Sequence, residues 1–272
     1  MISCIIQARM GSERLSGKVL KEIAGKPMIL HVLDRVSKSK RIDQVILATS
    51  DLNRDTPLAK TATEAGYKVY RGSEDNVLSR YVEALEKFSP QQSQSPDFSR
   101  KSEQALASST NMKKDDSKEI VIRITGDCPL IDADIIDDLI DQFETSNVDY
   151  LTNDVPKTVA RGFDAEIFTK KALLKTAELA DESKYLEHVT HYIYTHKDEF
   201  KVKIVAGKDW QNRPYRLCVD TAEDFELVSK IYDHFNNHFV SAKDVVKYLD
   251  GFPELATINT EIQQGSIDLV TD

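Results

Sequence analysis

The sequence predicts an α/β fold with a mixed, mostly parallel sheet and helices on both faces. Three observations carry that expectation. Short apolar runs alternate with amphipathic helical stretches through the first 90 residues. The apolar runs end in loops rich in Gly, Ser and Asp. The alternation resumes after a polar interruption at 89–118. Strands and helices in alternation imply parallel strands joined by right-handed crossovers.

Taken in order, "ISCIIQA" (2–8) reads as a buried strand ending at a glycine loop. The stretch 27–39 reads as a helix, opened by a proline suited to a first turn, with Met28, Ile29, Val32, Leu33 and Val36 in one stripe. "QVILATS" (44–50) is a strand, 56–66 a helix with Pro57 near its start and Gly66 at its end, 67–72 a third strand and 76–88 a third helix. The stretch 89–118 is rich in Ser, Gln and Lys and has too few large apolar residues to offset its ordering entropy, so it reads as a mobile insertion. "EIVIRIT" (119–125) is a strand and 133–145 a helix. Strands are expected at 148–154, 163–169, 200–206 and 215–221, and helices at 170–180, 184–196, 222–235 and 241–251. Nothing repeats and no linker stands out, so residues 1–272 read as one domain carrying the insertion.

Composition narrows the function. A net charge of -9 excludes the basic face expected of a duplex nucleic-acid binder, though not a few local cations around a small phosphate ligand. Cys4, Cys128 and Cys218 are an odd, scattered set with no CxxC spacing, which suits a reducing cytoplasm. No run approaches the ~18 apolar residues of a membrane helix, and no leader precedes the first strand, so a soluble, cytoplasmic protein is expected.

Ligands of open α/β sheets gather at the carboxyl ends of the strands. The loop "QARMGSERLSGK" (7–18) follows the first strand and holds Arg9, Arg14 and Lys18 beside Gly11 and Ser12. It is not a Walker A motif, because five residues separate Gly11 from Gly17 and Val19 stands where the magnesium-binding hydroxyl belongs. Arg71, Gly72 and Ser73 follow the third strand, Asp127 the strand 119–125, and Asp220 ends 215–221. Two carboxylates beside a cationic loop suit Mg²⁺ and a polyphosphate, and hence displacement at phosphorus. Each residue also has a plainer reading. The three cations suit a solvated loop, Asp127 and Asp220 suit helix caps, and His188 and His191 suit a helix packed in the core. Asp164 and Glu166 suit the solvated face of a strand.

The segments "IIQARMGSERLSGKVL", "VYRGSEDNVLSRY", "VIRITGDCPLID", "RGFDAEIF", "EHVTHYIY" and "LCVDTAEDFELV" occur in this order. Together they resemble the cytidylyltransferase family of the spore coat polysaccharide biosynthesis protein F type, which is similar to CMP-Kdo synthetases and acylneuraminate cytidylyltransferases. The resemblance covers nearly the whole chain outside 89–118. It implies a GT-A-like nucleotide-diphosphosugar transferase fold and transfer of CMP from CTP to an acidic sugar, with release of pyrophosphate. By matching positions, Arg9, Ser12, Arg14 and Lys18 would hold the triphosphate, and Asp127 and Asp220 would bind Mg²⁺. Arg71, Ser73 and Asn76 would lie near cytosine and ribose, with the backbone of Gln7 and Ala8 against the base. Arg161, Asp164, Glu166 and His188 would line the acceptor pocket. A homodimer is implied as well, with the segment around 150–210 at its interface. Ser16 departs from the family's R-L-P-G-K loop, where proline pre-sets a backbone angle. Two other readings stand beside this one: a nucleotide-sugar-dependent glycosyltransferase on the same fold, disfavoured by a single Asp in "GDCP", and a non-catalytic nucleotide-binding protein.

Overall fold

Strand β1 (Ile2–Gln7) is buried along its first five residues, as a strand covered on both faces must be. In the computed structural model, which describes residues 1–89, 119–154 and 158–262, β1 lies inside a seven-stranded sheet. A two-residue hairpin, β2 (Glu22–Ile23) and β3 (Lys26–Pro27), stands apart from it. The other strands are β4 (Gln44–Ser50), β5 (Lys68–Gly72), β6 (Ile120–Thr125), β7 (Tyr150–Thr152), β8 (Glu166–Thr169) and β9 (Val202–Ile204). Their order across the sheet is β5-β4-β1-β6-β8-β7-β9. β1 pairs in parallel with β4 and β6, while β8 runs antiparallel between β6 and β7. The mixed, mostly parallel sheet expected from the sequence is therefore present.

Side chains alternate across a strand, and β1 divides them between two cores. Cys4 and Ile6 face one side with helices α1 (Met28–Val36), α2 (Thr56–Glu64), α4 (Ala133–Glu144), α8 (Ala222–Phe235) and α9 (Ala242–Gly251). Ile5 faces the other, under α3 (Val77–Phe88), α5 (Lys170–Leu179) and the short α6 (Ser183–Glu187) and α7 (His191–Thr195). A single turn, α10 (Pro253–Ala256), follows α9.

The sequence pattern and the structure part company in three places. Pro27 precedes α1 as its N-cap, in extended conformation at the end of the hairpin, rather than opening the first turn. The expected helix 184–196 is broken into α6 and α7 by Val189, whose φ is 31°. The break lets Thr190 turn inward to donate its hydroxyl to Glu166 at 2.5 Å. The expected strand 215–221 is not part of the sheet. Leu217 N–H donates to Arg161 O at 2.7 Å and Val219 N–H to Asp127 O at 2.8 Å, so its backbone partners are loops that have left the sheet. The insertion expected at 89–118 lies, from residue 90, outside the described residues.

Candidate active site

The carboxyl ends of β1 and β6 are tied together. Gly126 N–H donates to Gln7 O at 2.8 Å. A Cβ on Gly126 would lie 2.6 Å from Ala8 Cβ, so the two loops touch where only glycine fits. The loop after β1 is then fixed from a second side. Met10 N–H donates to Asp55 Oδ1 at 2.7 Å, and buried Asp55 also accepts from the Thr49 and Ser50 side chains. Gly17 takes a left-handed φ of 65° and starts the turn that carries Lys18 inward.

Lys18 joins the two predicted carboxylates. Its Nζ lies 3.2 Å from Asp127 Oδ2 and 2.8 Å from Asp220 Oδ1, and it donates to Val219 O at 2.7 Å. Arg14 Nη2 reaches Asp220 Oδ2 at 2.9 Å, and Arg216 Nη2 reaches the same oxygen at 2.6 Å. Neither aspartate serves as a helix cap. Asp132 caps α4, and Thr221 caps α8 in a capping box with Asp224. Both carboxylates are thus left to the cleft. Burial disfavours the charged form of Asp127, but the charge of Lys18 and hydrogen bonds from Thr125 and Lys18 outweigh it and hold the carboxyl below its usual range. The same balance raises Lys18, where the charges of Asp127 and Asp220 overcome burial.

These groups line a cleft of about 530 Å³. Gln7, Ala8, Arg9, Gly11, Ser12, Arg14 and Lys18 border it from the β1 loop, and Asp127, Asp220 and His188 from elsewhere. His188 is held below its usual pKa by burial, partly offset by the charge of Glu187. Arg9 bridges Glu74 at 3.3 Å and Glu187 at 4.0 Å.

The remaining predicted residues do not line this cleft. Arg71 donates to Ser50 O at 3.1 Å and Leu52 O at 2.9 Å, which binds β5 to the loop after β4. Asn76 caps α3 by accepting from Ser79 N–H at 2.8 Å, and Ser73 Oγ accepts from Asn76 N–H at 3.0 Å. Gly72 lies against Arg80, whose Cγ would be 3.1 Å from an added Cβ. Arg161 borders a separate cavity of about 460 Å³ with Arg213 and Tyr215. Asp164 accepts from Gly162 N–H at 3.0 Å. Glu166 is buried and accepts from Arg123, Tyr150 and Thr190, while Arg123 Nε also donates to Gln7 Oε1 at 3.0 Å.

Sequence reasoning passed over Asp55, Arg80, Arg123 and Arg216. A charge inside an apolar strand, as in "VIRIT", was the available signal for Arg123. Arg80 sits on the buried stripe of α3, where a polar residue breaks the pattern. Glu13 and Glu187 also border the cleft and add carboxylates to its walls.

The donor set suits a hard divalent cation. Two carboxylates converge on one ammonium at the strand ends, and Mg²⁺ is commonly held by one or two carboxylates plus substrate phosphates.

Comparison with known proteins extends the geometry. A family model described as cytidylyltransferase matches residues 3–96 and 92–245. The spore coat polysaccharide biosynthesis protein SpsF of Bacillus subtilis is 30% identical over 93% of this chain and 95% of its own length. The 3-deoxy-manno-octulosonate cytidylyltransferase of Thermodesulfovibrio yellowstonii is 33% identical over 53% of this chain and 48% of its own. The solved structure of a cytidylyltransferase from Leptospira borgpetersenii superposes with a TM-score of 0.79 at 27% identity, covering 97% of this chain and 99% of that one.

Proposed function

The chain belongs to the cytidylyltransferase family, and from that membership we propose a Mg²⁺-dependent enzyme that transfers CMP from CTP to an acidic sugar in surface polysaccharide biosynthesis. That it is a CTP-dependent nucleotidyltransferase follows from the family itself. The acidic sugar is supported by the partial likeness to 3-deoxy-manno-octulosonate cytidylyltransferase, and the pathway by the likeness to SpsF.

The observation that carries the reading is the Lys18 ammonium shared by Asp127 and Asp220 in the cleft. Asp127 and Asp220 would hold Mg²⁺, which supplies charge neutralisation at the phosphates and the leaving pyrophosphate. Lys18 and Arg14 exchange their carboxylate partners for phosphate oxygens when the nucleotide binds. Arg9, half-exposed at the mouth, leaves Glu74 and Glu187 in the same way. The Ser12 hydroxyl and the loop backbone orient the triphosphate. A hydroxyl of the sugar attacks the α-phosphorus, the bond to the bridging oxygen breaks, and pyrophosphate departs against the cations of the loop. His188 borders the cleft, is biased toward its neutral form and would accept a proton from the attacking hydroxyl. Arg161, Asp164 and Glu166 are assigned to the acceptor side on the family resemblance, although none of them borders the cleft. Ser73 and Asn76 support the nucleoside side by holding the start of α3, and Arg71 by tying β5 to the loop after β4.

Among the described residues no helix is long and apolar enough to cross a membrane. A cytoplasmic homodimer completes the proposal, and sedimentation of the purified protein tests the dimer.

Incubation with each of the four nucleoside triphosphates, Mg²⁺ and a panel of sugar acids, with pyrophosphate as readout, tests the reaction. Pyrophosphate release with CTP and a sugar acid is expected. Release with UTP or GTP but not CTP would overturn the base assignment. Free nucleotide released from a nucleotide sugar, without pyrophosphate, would point to the glycosyltransferase reading. Asp127→Asn is expected to abolish turnover, and full activity in that variant would remove Asp127 from the metal site.

A further inference from the structure

One buried cation in the cleft keeps two donor nitrogens without a partner. Arg80 on α3 is only 3% exposed and lines the same cavity as Lys18 and Asp127. Its Nε and Nη1 are buried without a hydrogen-bond partner. The carboxylates nearest in charge are already engaged. Glu74 pairs with Arg9 and Arg54, and Asp55 accepts from Met10 N–H, Thr49 and Ser50. A buried cationic donor left unpaired is expensive, and native structures seldom tolerate it without a purpose. A donor of this kind facing a ligand cleft calls for an acceptor on the ligand.

The position of Arg80 selects which part of the ligand that is. Lys18, Arg14, Asp127 and Asp220 gather in one ion-paired cluster on the cleft wall. Gln7 and Ala8 line the cleft from the end of β1, and Val77 and Arg80 line it from α3, which packs against β4 and β5. A triphosphate held by that cluster leaves Ala8 and the α3 residues of the same cleft to meet the nucleoside. Ala8 and Val77 offer apolar surface to the flat face of a base, and Arg80 offers only donors at its edge.

We propose that Arg80 is a specificity-determining residue that donates hydrogen bonds to the acceptor edge of cytosine, its carbonyl O2 and ring N3. Uracil keeps O2 but carries a hydrogen on N3, so a donor facing that edge meets another donor. A site built to satisfy a polar group discriminates strongly against a ligand that leaves the group unpaired. This inference rests on the proposed use of CTP and adds the group that selects the base.

Calorimetric titration with CTP, UTP and pyrophosphate, each with Mg²⁺, tests it in wild type, Arg80→Met and Arg80→Gln. The wild type is expected to favour CTP over UTP. Arg80→Met is expected to weaken CTP by roughly 10- to 100-fold, with little change for UTP or pyrophosphate, so the preference collapses. Arg80→Gln keeps a donor amide and is expected to fall between the two. Removing an unpaired buried cation should also leave the melting temperature of Arg80→Met no lower than that of wild type. A variant that keeps the CTP-to-UTP ratio of wild type overturns the inference while the CTP reading stands. Equal weakening of CTP, UTP and pyrophosphate overturns it too, and makes Arg80 a phosphate ligand. A wild type that binds no CTP defeats the proposed function itself.

Discussion

Lys18 is the residue on which the charges of the cleft converge. Replacing it with Met leaves Asp127 and Asp220 facing one another with Arg14 and Arg216 as their remaining cations. We expect Lys18→Met to lower kcat by roughly 10²- to 10³-fold, the usual loss for one stabilising donor at a developing charge. Steady-state pyrophosphate release checks this. The same variant should lift the Asp127 carboxyl back toward its ordinary range, visible in a carbon-detected NMR titration. How much of the site was legible follows from residues such as these. Arg9, Arg14 and Lys18 announced themselves because they cluster within ten residues of sequence. Asp127 and Asp220 were legible as strand-end carboxylates, although the second has no sheet strand behind it. Arg80 and Arg123 were hidden, because a charge that breaks a buried stripe reveals its role only when its partners, or their absence, are seen. Glu166 was read as a solvated strand carboxylate or an acceptor ligand, and its burial under Tyr150 and Thr190 could not be inferred from alternation alone.

At the scale of elements, the site depends on how closely two loops approach. Gly126 after β6 rests on Ala8 after β1, with no room for a methyl group. We expect Gly126→Ala to separate the loops, to destabilise the fold by about 1–3 kcal/mol, and to reduce kcat/KM more than tenfold. Thermal melts and initial rates separate the two effects. β1, β4 and β6 were predictable to within a residue or two at each end, because burial on both faces writes itself as an apolar run. The segment 215–221 carries the same signature for a different reason. Its apolar residues face the core, but its backbone bonds to Arg161 and Asp127 rather than to a strand. Gly162 makes that contact possible, since at its φ of 104° a Cβ would stand 2.8 Å from the Leu217 carbonyl carbon. Hydrophobic periodicity records burial and says nothing of which backbone supplies the hydrogen bonds.

For the whole molecule, β8 antiparallel between β6 and β7 divides the sheet into a regular half and an irregular one. The parallel half was legible, and the reversal was not, because pairing direction leaves no mark on a four-residue strand. The core on the α1 side carries a titratable group that links three elements. His31 of α1 bonds through Nε2 to Ile23 O of the hairpin at 2.8 Å and packs on Tyr232 of α8 at 4.4 Å between ring centres. Its Nδ1 is buried without a partner. Burial, with the nearby charges of His238, Lys26 and Arg35 added and the Ile23 hydrogen bond opposing, pushes its pKa down to about 4 from 6.5. Between those values the unfolded chain binds the extra proton and the folded chain does not. The stabilisation from neutral His31 is therefore complete above pH 6.5 and is lost as the pH falls toward 4, to a total on the order of 3 kcal/mol. Urea unfolding from pH 7 to 4 should show a slope that His31→Gln flattens, while an unchanged slope would assign the acid sensitivity elsewhere.

The Lys18 contacts have one further consequence. Each cation of the loop rests on a carboxylate of the protein, so the cleft carries its own counterions. On the proposed reaction, admission of a charged nucleotide would be a change of partners inside the protein, with no large release of salt from the surrounding solution. Asp220 would likewise take Lys18 and Arg14 back once pyrophosphate and its Mg²⁺ leave. A cleft wired in this manner would reset itself after each turnover.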